Sequence, residues 1–273
     1  AMPFTITGYD YEHLTFSGGE EQVRVKDKNI FAPHGEILIT AHMRSSADVM
    51  TLLLLTDALR RSGCKAISLL MPYLPYARQD RVCADGEALS LRVMCDLINA
   101  QRYEQVEIWD AHSDVALALL DRVVHVTSAQ ILRFARDWKK STLLSNPILV
   151  APDAGALKKV NAAAAALRCT YIRADKTRDA IDGSITGTVV YANHMEAADL
   201  LIVDDICDGG RTFIELAKEL RKLTTGRVML YVTHGIFSKG TTVFDGLIDE
   251  VFTANSFVDD LPPNFHLITK GQQ

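Results

Sequence analysis

Short apolar runs alternate along the chain with longer stretches in which apolar positions recur every three or four residues. The runs at 4–9, 22–25, 37–41, 65–71, 105–109, 123–126, 148–151, 170–172, 189–192, 200–203, 227–233, 250–254 and 266–269 predict strands. Helical periodicity covers 47–61, 87–99, 128–140 and 157–168, and a shorter helix is predicted at 241–247. A further helix starts at Thr212 and stops at Gly226. It places Phe213, Leu216, Ala217, Leu220 and Leu223 on one face, with Glu215 and Lys218, then Glu219 and Lys222, on the other. The helix at 47–61 is apolar on most faces, so it is expected to be buried. Strand and helix alternate in both halves, which predicts α/β architecture with a doubly wound, mainly parallel sheet in each. Residues 141–147 read as a linker, giving expected domains of 1–142 and 143–273. The polar, charged stretch 173–187 is expected to be a mobile loop.

Composition narrows the class. The 273 residues are 48% hydrophobic, enough for one large core or two of ordinary domain size. No apolar run approaches the ~20 residues of a membrane-spanning helix. The N-terminus lacks a basic segment followed by an apolar one, and Ala1-Met2 reads as a cloning scar, so a cytoplasmic protein is expected. The net charge of −5 argues against a nucleic-acid partner, and a phosphorylated ligand would have to be held locally. Five cysteines without C-x-x-C spacing fit reduced thiols.

The chemistry concentrates in LLIVDDICDGGRTF, residues 200–213. A buried strand ends at two carboxylates, Asp204 and Asp205, and an Asp208-Gly209-Gly210-Arg211-Thr212 turn opens a helix. Two glycines let the backbone approach an anion, and the helix N-terminus presents free N–H groups and the positive end of its dipole to the same point. The paired acids would repel that anion unless they hold something else, either ribose hydroxyls or a magnesium ion. Other polar residues stand at predicted strand ends: Met71-Pro72, Asp110-Ala111-His112 and Pro152-Asp153. In open α/β sheets ligands bind at such ends, so these segments suggest one composite site. The loop after Pro72 carries Tyr73, Tyr76, Arg78, Gln79 and Arg81, suited to base stacking and phosphate pairing.

Six segments, in order, resemble the ribose-phosphate pyrophosphokinase family: PYLPYARQDR, DAHS, APDAG, ADKTR, DDICDGGRT and THGIFSKG. The resemblance implies two tandem phosphoribosyltransferase-type domains. It also implies magnesium-dependent transfer of the β,γ-pyrophosphoryl group of ATP to the 1-hydroxyl of ribose 5-phosphate, with AMP as the other product. By matching position, Lys176 and Arg178 would be catalytic, and Phe16, Glu20, Arg78, Gln79 and His112 would bind ATP. Asp204, Asp205, Asp208, Gly209, Gly210, Arg211 and Thr212 would bind the sugar phosphate, and His112 and Asp153 would stand at the metal. The family's adenine contacts come partly from a neighbouring subunit, which implies a homodimer or larger homo-oligomer. The chain departs from the family pattern at Phe16-Ser17-Gly18-Gly19-Glu20, which lacks the usual Asp. It departs again at Val82-Cys83-Ala84, which replaces a charged run, and at Arg211, where a small residue is common. The last departure raises an alternative acceptor with a second phosphate, such as ADP-ribose. Competing readings are a phosphoribosyltransferase, which would need neither Lys176 and Arg178 nor the loop at Arg78, and a catalytically silent regulatory subunit, which would lack the cations or metal-side residues.

Overall fold

The computed structural model describes residues 2–27, 36–139, 146–178 and 185–268. The chain divides into two compact units, Ala1–Val126 and Thr127–Gln273, each with its own seven-stranded sheet. The expected boundary at 142–143 lies outside the described residues.

The first unit contains β1 (Phe4–Ile6), β2 (Tyr9–Thr15), β3 (Glu21–Asp27), β4 (Ile37–Ala41), β5 (Ile67–Leu70), β6 (Val106–Trp109) and β7 (Val123–Val126). Its helices are α1 (Ser46–Arg61), α2 (Ser90–Ala100) and α3 (Asp114–Leu119). The sheet order is β3-β2-β1-β4-β5-β6-β7. Strands β4 to β7 pair in parallel, whereas β1 to β3 form an antiparallel flank. Near-continuous apolar runs such as Ile67-Ser68-Leu69-Leu70 suit parallel strands covered on both faces. Helix α1 starts with a capping box, in which Ser45 Oγ accepts the Asp48 N–H and the Asp48 carboxylate accepts the Ser45 N–H. Leu52, Leu55 and Leu59 on this helix are fully buried, as its composition predicted. Between them Thr56 donates to the Leu52 carbonyl and meets the Tyr103 hydroxyl at 2.6 Å, a polar contact sealed inside the core.

Strand β3 lies where the run at 22–25 predicted it, but β2 and α3 were not apparent from periodicity. Only Tyr9 and Tyr11 of β2 are buried, and residues 12–15 are exposed on both faces, so no alternation marks the strand. Helix α3 is only six residues long and buries only Ala116.

The second unit contains β8 (Ile148–Ala151), β9 (Tyr171–Arg178), β10 (Ile185–Tyr191), β11 (Leu200–Cys207), β12 (Val228–Gly235), β13 (Glu250–Ser256) and β14 (Phe265–Leu267). Its helices are α4 (Ser128–Lys139), α5 (Leu157–Leu167) and α6 (Arg211–Leu220). The order is β10-β9-β8-β11-β12-β13-β14, parallel throughout except for the edge pair β9–β10. Together the two units are the α/β, two-sheet fold expected, with mainly parallel strands flanked by helices.

Three local expectations are corrected. The supposed loop at 173–187 is largely strand, because β9 and β10 pair antiparallel from Arg173↔Tyr191 to Arg178↔Ile185, while residues 179–184 lie outside the described set. Polar residues are tolerated there because β10 is an edge strand, and Arg173 pairs with Asp175 and lies over the Tyr191 ring at 5.6 Å. Strand β11 does not stop at Val203 but runs through both carboxylates, since β12 continues the ladder opposite them, Asp204 with Val232 and Ile206 with His234. The helix expected at 241–247 is a single 3-10 turn, Thr242–Phe244, bracketed by left-handed Gly240 and Gly246. Among the described residues no helix is long and apolar enough to cross a membrane.

Tyr103→Phe removes one partner of the buried Thr56 pair while Thr56 keeps its carbonyl acceptor. A loss of about 1 kcal/mol is expected, read as a lower urea midpoint with unchanged slope. An unaltered midpoint would show that the pair contributes nothing net.

Candidate functional site

In the first unit, polar groups gather beyond the C-terminal ends of neighbouring strands β5 and β6. The two ends are tied together, because the Trp109 N–H donates to the Pro72 carbonyl at 3.0 Å. The loop beginning at Tyr73 is fixed at two points. Tyr76 adopts a left-handed conformation (φ 63°), costly for a bulky residue, and its hydroxyl bonds Ser46 Oγ at 2.7 Å in the first turn of α1. The Gln79 carbonyl accepts the Leu91 N–H at 3.2 Å, anchoring the loop to the start of α2. Between these anchors Arg78 and Gln79 point outward, exposed. Tyr76, read from sequence as a stacking residue, thus also serves as an anchor for the loop.

The turn after β6 is held from β7. Asp110 is buried and left-handed (φ 42°), and its N–H donates to the Val126 carbonyl at 2.7 Å. The Ala111 N–H donates to His125 Nε2 at 3.0 Å, which requires a neutral imidazole carrying its hydrogen on Nδ1. His112 follows and is exposed. Phe16 and Glu20 lie at the tip of the β2–β3 hairpin, closed by Phe16 N–H to the Glu20 carbonyl at 2.8 Å. Phe16 is 50% exposed, unusual for its size. Strands β1 and β4 separate this hairpin from β5, so Phe16 and Glu20 belong to a different flank from Arg78 and Gln79.

In the second unit, neighbouring strands β8 and β11 bring Asp153, Asp204 and Asp205 to one region of the sheet. Asp153 Oδ1 accepts the Ala156 N–H at 3.2 Å, capping the turn into α5. Asp205 is buried and pairs with Lys159 of α5 at 3.5 Å. The Asp205 N–H donates to Asp204 Oδ1 at 2.9 Å. Burial, then the neighbouring Asp205 and the more distant Asp153, hold the Asp204 carboxyl well above the usual carboxylate range.

Beyond Cys207 the chain turns through Asp208, Gly209 and Gly210 into α6. Among the described residues no protein group accepts the backbone N–H groups of Gly209, Gly210, Arg211 or Thr212. Four consecutive free donors at a helix N-terminus are an anion cradle. The cradle is braced from behind. Ser238 Oγ donates to Asp208 Oδ1 at 2.6 Å, and the Ser238 N–H donates to the Asp208 carbonyl at 3.1 Å. Gly210 is left-handed (φ 80°), and a methyl group there would lie 2.7 Å from the Phe244 ring. Phe244 packs with Phe237 and Phe265 at centroid distances of 6.2 and 6.1 Å. Cys207 beneath the turn is buried, and burial together with Asp208 and Asp204 pushes its thiol up to about 12, leaving it inert. Lys176 and Arg178 lie on β9, next to β8, with backbone partners Thr188 and Ile185; their side chains lie outside the described residues.

Among the described residues no three or more His, Cys, Asp or Glu side chains are arranged to hold a metal. Carboxylate oxygens are nevertheless the donors a hard cation prefers. The set therefore fits magnesium arriving with most of its shell from phosphate and water, with only one or two protein ligands.

Sequence reasoning did not single out Ser46, His125 or Lys159, and it took in Ser238 and Lys239 only as part of THGIFSKG, without a role. Each acts across the fold on a residue that had been singled out, and no local spacing announces such a partner.

Two α/β units, one with a glycine-turn cradle of free amides beside paired strand-end carboxylates, define a protein of phosphoribosyltransferase type. Residues 4–101 match the model of the N-terminal domain of ribose phosphate pyrophosphokinase. The chain is 31% identical over 254 residues to the ribose-phosphate pyrophosphokinase of Thermococcus kodakarensis, covering 90% of this chain and 85% of that one. It is also 31% identical over 256 residues to that of Pyrococcus furiosus, covering 88% and 84%. The crystal structure of phosphoribosylpyrophosphate synthetase from Mycobacterium smegmatis shares its fold, with a TM-score of 0.75 over 96% of this chain and 86% of that one at 22% identity. The chain belongs to the ribose-phosphate pyrophosphokinase family.

The raised pKa of Asp204 has a defined consequence for stability. Its folded value exceeds its unfolded one, so protonation favours the fold: the contribution is full below the unfolded pKa and is lost as pH rises through the folded value. Asp204→Asn should therefore raise the Tm of the ligand-free protein at pH 7.5, by ~2–4 °C for each kcal/mol of relieved charge desolvation and repulsion. The gain should vanish towards pH 4. Thermal melts across that range check it, and a variant less stable than the parent at pH 7.5 would refute it.

Proposed function

We propose that this protein transfers the β,γ-pyrophosphoryl group of ATP to the 1-hydroxyl of a 5-phosphorylated ribose, ribose 5-phosphate being the minimal acceptor, to give phosphoribosyl pyrophosphate and AMP. The observation that carries the reading is the cradle of N–H groups at Gly209 to Thr212, unaccepted among the described residues, beside the half-buried Asp204 and buried Asp205. A 5-phosphate supplies acceptors to the amides and the Thr212 hydroxyl, while ribose hydroxyls supply donors to the carboxylates. Family membership supports the same assignment.

In this reading the sugar 1-hydroxyl oxygen attacks the β-phosphorus of ATP. The bond from that phosphorus to the α,β-bridging oxygen breaks, AMP leaves with that oxygen, and the hydroxyl proton passes to solvent. Such a displacement depends mainly on positioning and charge neutralisation. Lys176 and Arg178 supply cationic charge to the transferring group, and Arg78, Gln79 and His112 hold the nucleotide. His112 and Asp153 would hold magnesium, which when bound neutralises phosphate charge. The exposed Phe16 and Glu20, separated from β5 by two strands, serve the adenine of a neighbouring copy, so the active form is a homo-oligomer.

AMP formation from ATP that requires ribose 5-phosphate and magnesium tests the proposal, and a phosphoribosyltransferase or a silent subunit would give none. Lys176→Ala should lower kcat by at least ~100-fold with a much smaller change in KM, the scale of removing one transition-state stabiliser. Steady-state kinetics with near-normal kcat would remove Lys176 from the mechanism.

A further inference from the structure

A phosphate monoester presents three terminal oxygens. The free amides of Gly209, Gly210, Arg211 and Thr212, with the Thr212 hydroxyl, already suffice for it. Two full cations stand on the rim in addition. A methyl group on Gly209 would lie 3.3 Å from Lys239 Cγ, so the lysine stem runs along the glycine at the cradle's mouth. Arg211 is the first residue of α6 and is exposed. Among the described residues neither its guanidinium nor the Lys239 ammonium has a hydrogen-bond or ion-pair partner. The local acids are otherwise engaged: Asp205 faces Lys159, Asp208 accepts from Ser238, and the half-buried Asp204 accepts the Asp205 N–H.

We infer that Lys239 and Arg211 form a second phosphate subsite on the rim of this cradle, selecting ribosyl acceptors whose 5-carbon carries a diphosphate ester. The inference rests on the reading of the cradle as the acceptor site. The amides hold the phosphate next to the sugar. The guanidinium fork and the mobile ammonium meet the outer phosphate, which lies beyond reach of the backbone donors and brings the charge that a monoester lacks. The displacement is the one written above; only the group beyond the first phosphate differs, so the 1-hydroxyl must remain free.

ADP-ribose is a suitable probe, since it joins a ribose with a free 1-hydroxyl to a diphosphate. AMP released from base-labelled ATP would be followed with ADP-ribose and with ribose 5-phosphate, and ADP-ribose binding would be titrated calorimetrically without ATP. The parent protein should use ADP-ribose with the higher kcat/KM. Lys239→Gln should lower the ratio of the two specificity constants ~10–150-fold, the range for loss of one charge-assisted hydrogen bond, and weaken calorimetric binding of ADP-ribose in proportion. Arg211→Gly should shift the ratio in the same direction, and Arg211→Lys should restore part of it. Both side chains are exposed, and an unchanged Tm would confirm that the variants fold. Turnover of ribose 5-phosphate but not ADP-ribose would overturn the inference and leave the proposed reaction standing, as would equal loss of both acceptors in Lys239→Gln. If neither acceptor yields AMP the proposed reaction fails, and calorimetry then decides the subsite alone: undiminished ADP-ribose binding in Lys239→Gln would overturn it.

Discussion

Negative charge inside a buried strand is the constraint on which the second unit is built. Strand β11 is paired on both sides, and its ladder with β12 carries Asp204 and Asp205 into the sheet instead of leaving them on a loop. Two adjacent carboxylates in such a place repel each other and lose solvation. Lys159 on α5 answers one of them from one side. Beyond the same strand end lies the opposite imbalance, a run of N–H donors with no acceptor among the described residues. The unit therefore holds a crowded pair of acceptors next to a run of unaccepted donors. A sugar phosphate carries both kinds of group, hydroxyls for carboxylates and phosphate oxygens for amides, and that complement is the basis of the proposed acceptor site.

The first unit solves a different problem, that of presenting outward-facing side chains from turns that do not wander. It uses tethers from neighbouring elements. Ser46 holds Tyr76, α2 holds Gln79, and β7 holds the turn before His112 through Val126 and His125. Two residues in these turns, Tyr76 and Asp110, occupy left-handed backbone conformations that side chains disfavour. Such strain persists only where surrounding contacts over-determine the conformation.

Much of this was legible in the sequence because it is local. The apolar run at 200–203, the glycine turn and the amphipathic period after Thr212 each mark their own structure, and strand, turn and helix follow one another there as they predict. What escaped notice depends on partners distant in sequence. Nothing around Asp204 reveals that β12 will extend the strand past it, and nothing near Gly209 reveals that Ser238 and Lys239 will lie against the turn. The β9–β10 ribbon was misread because edge strands tolerate charge, which erases the alternation that would signal them. Helix α3 and β2 were missed for want of buried positions.

The aromatic packing behind Gly210 also bears on how such a protein diversifies. Phe237, Phe244 and Phe265 fix the floor of the cradle, so substitutions there disturb the anion site and the core together. The rim side chains of Arg211 and Lys239, by contrast, are exposed, so changes there cost the fold little. Substitutions at this rim can therefore alter which phosphorylated sugar the proposed site accepts while the packed interior, and with it the fold, stays undisturbed.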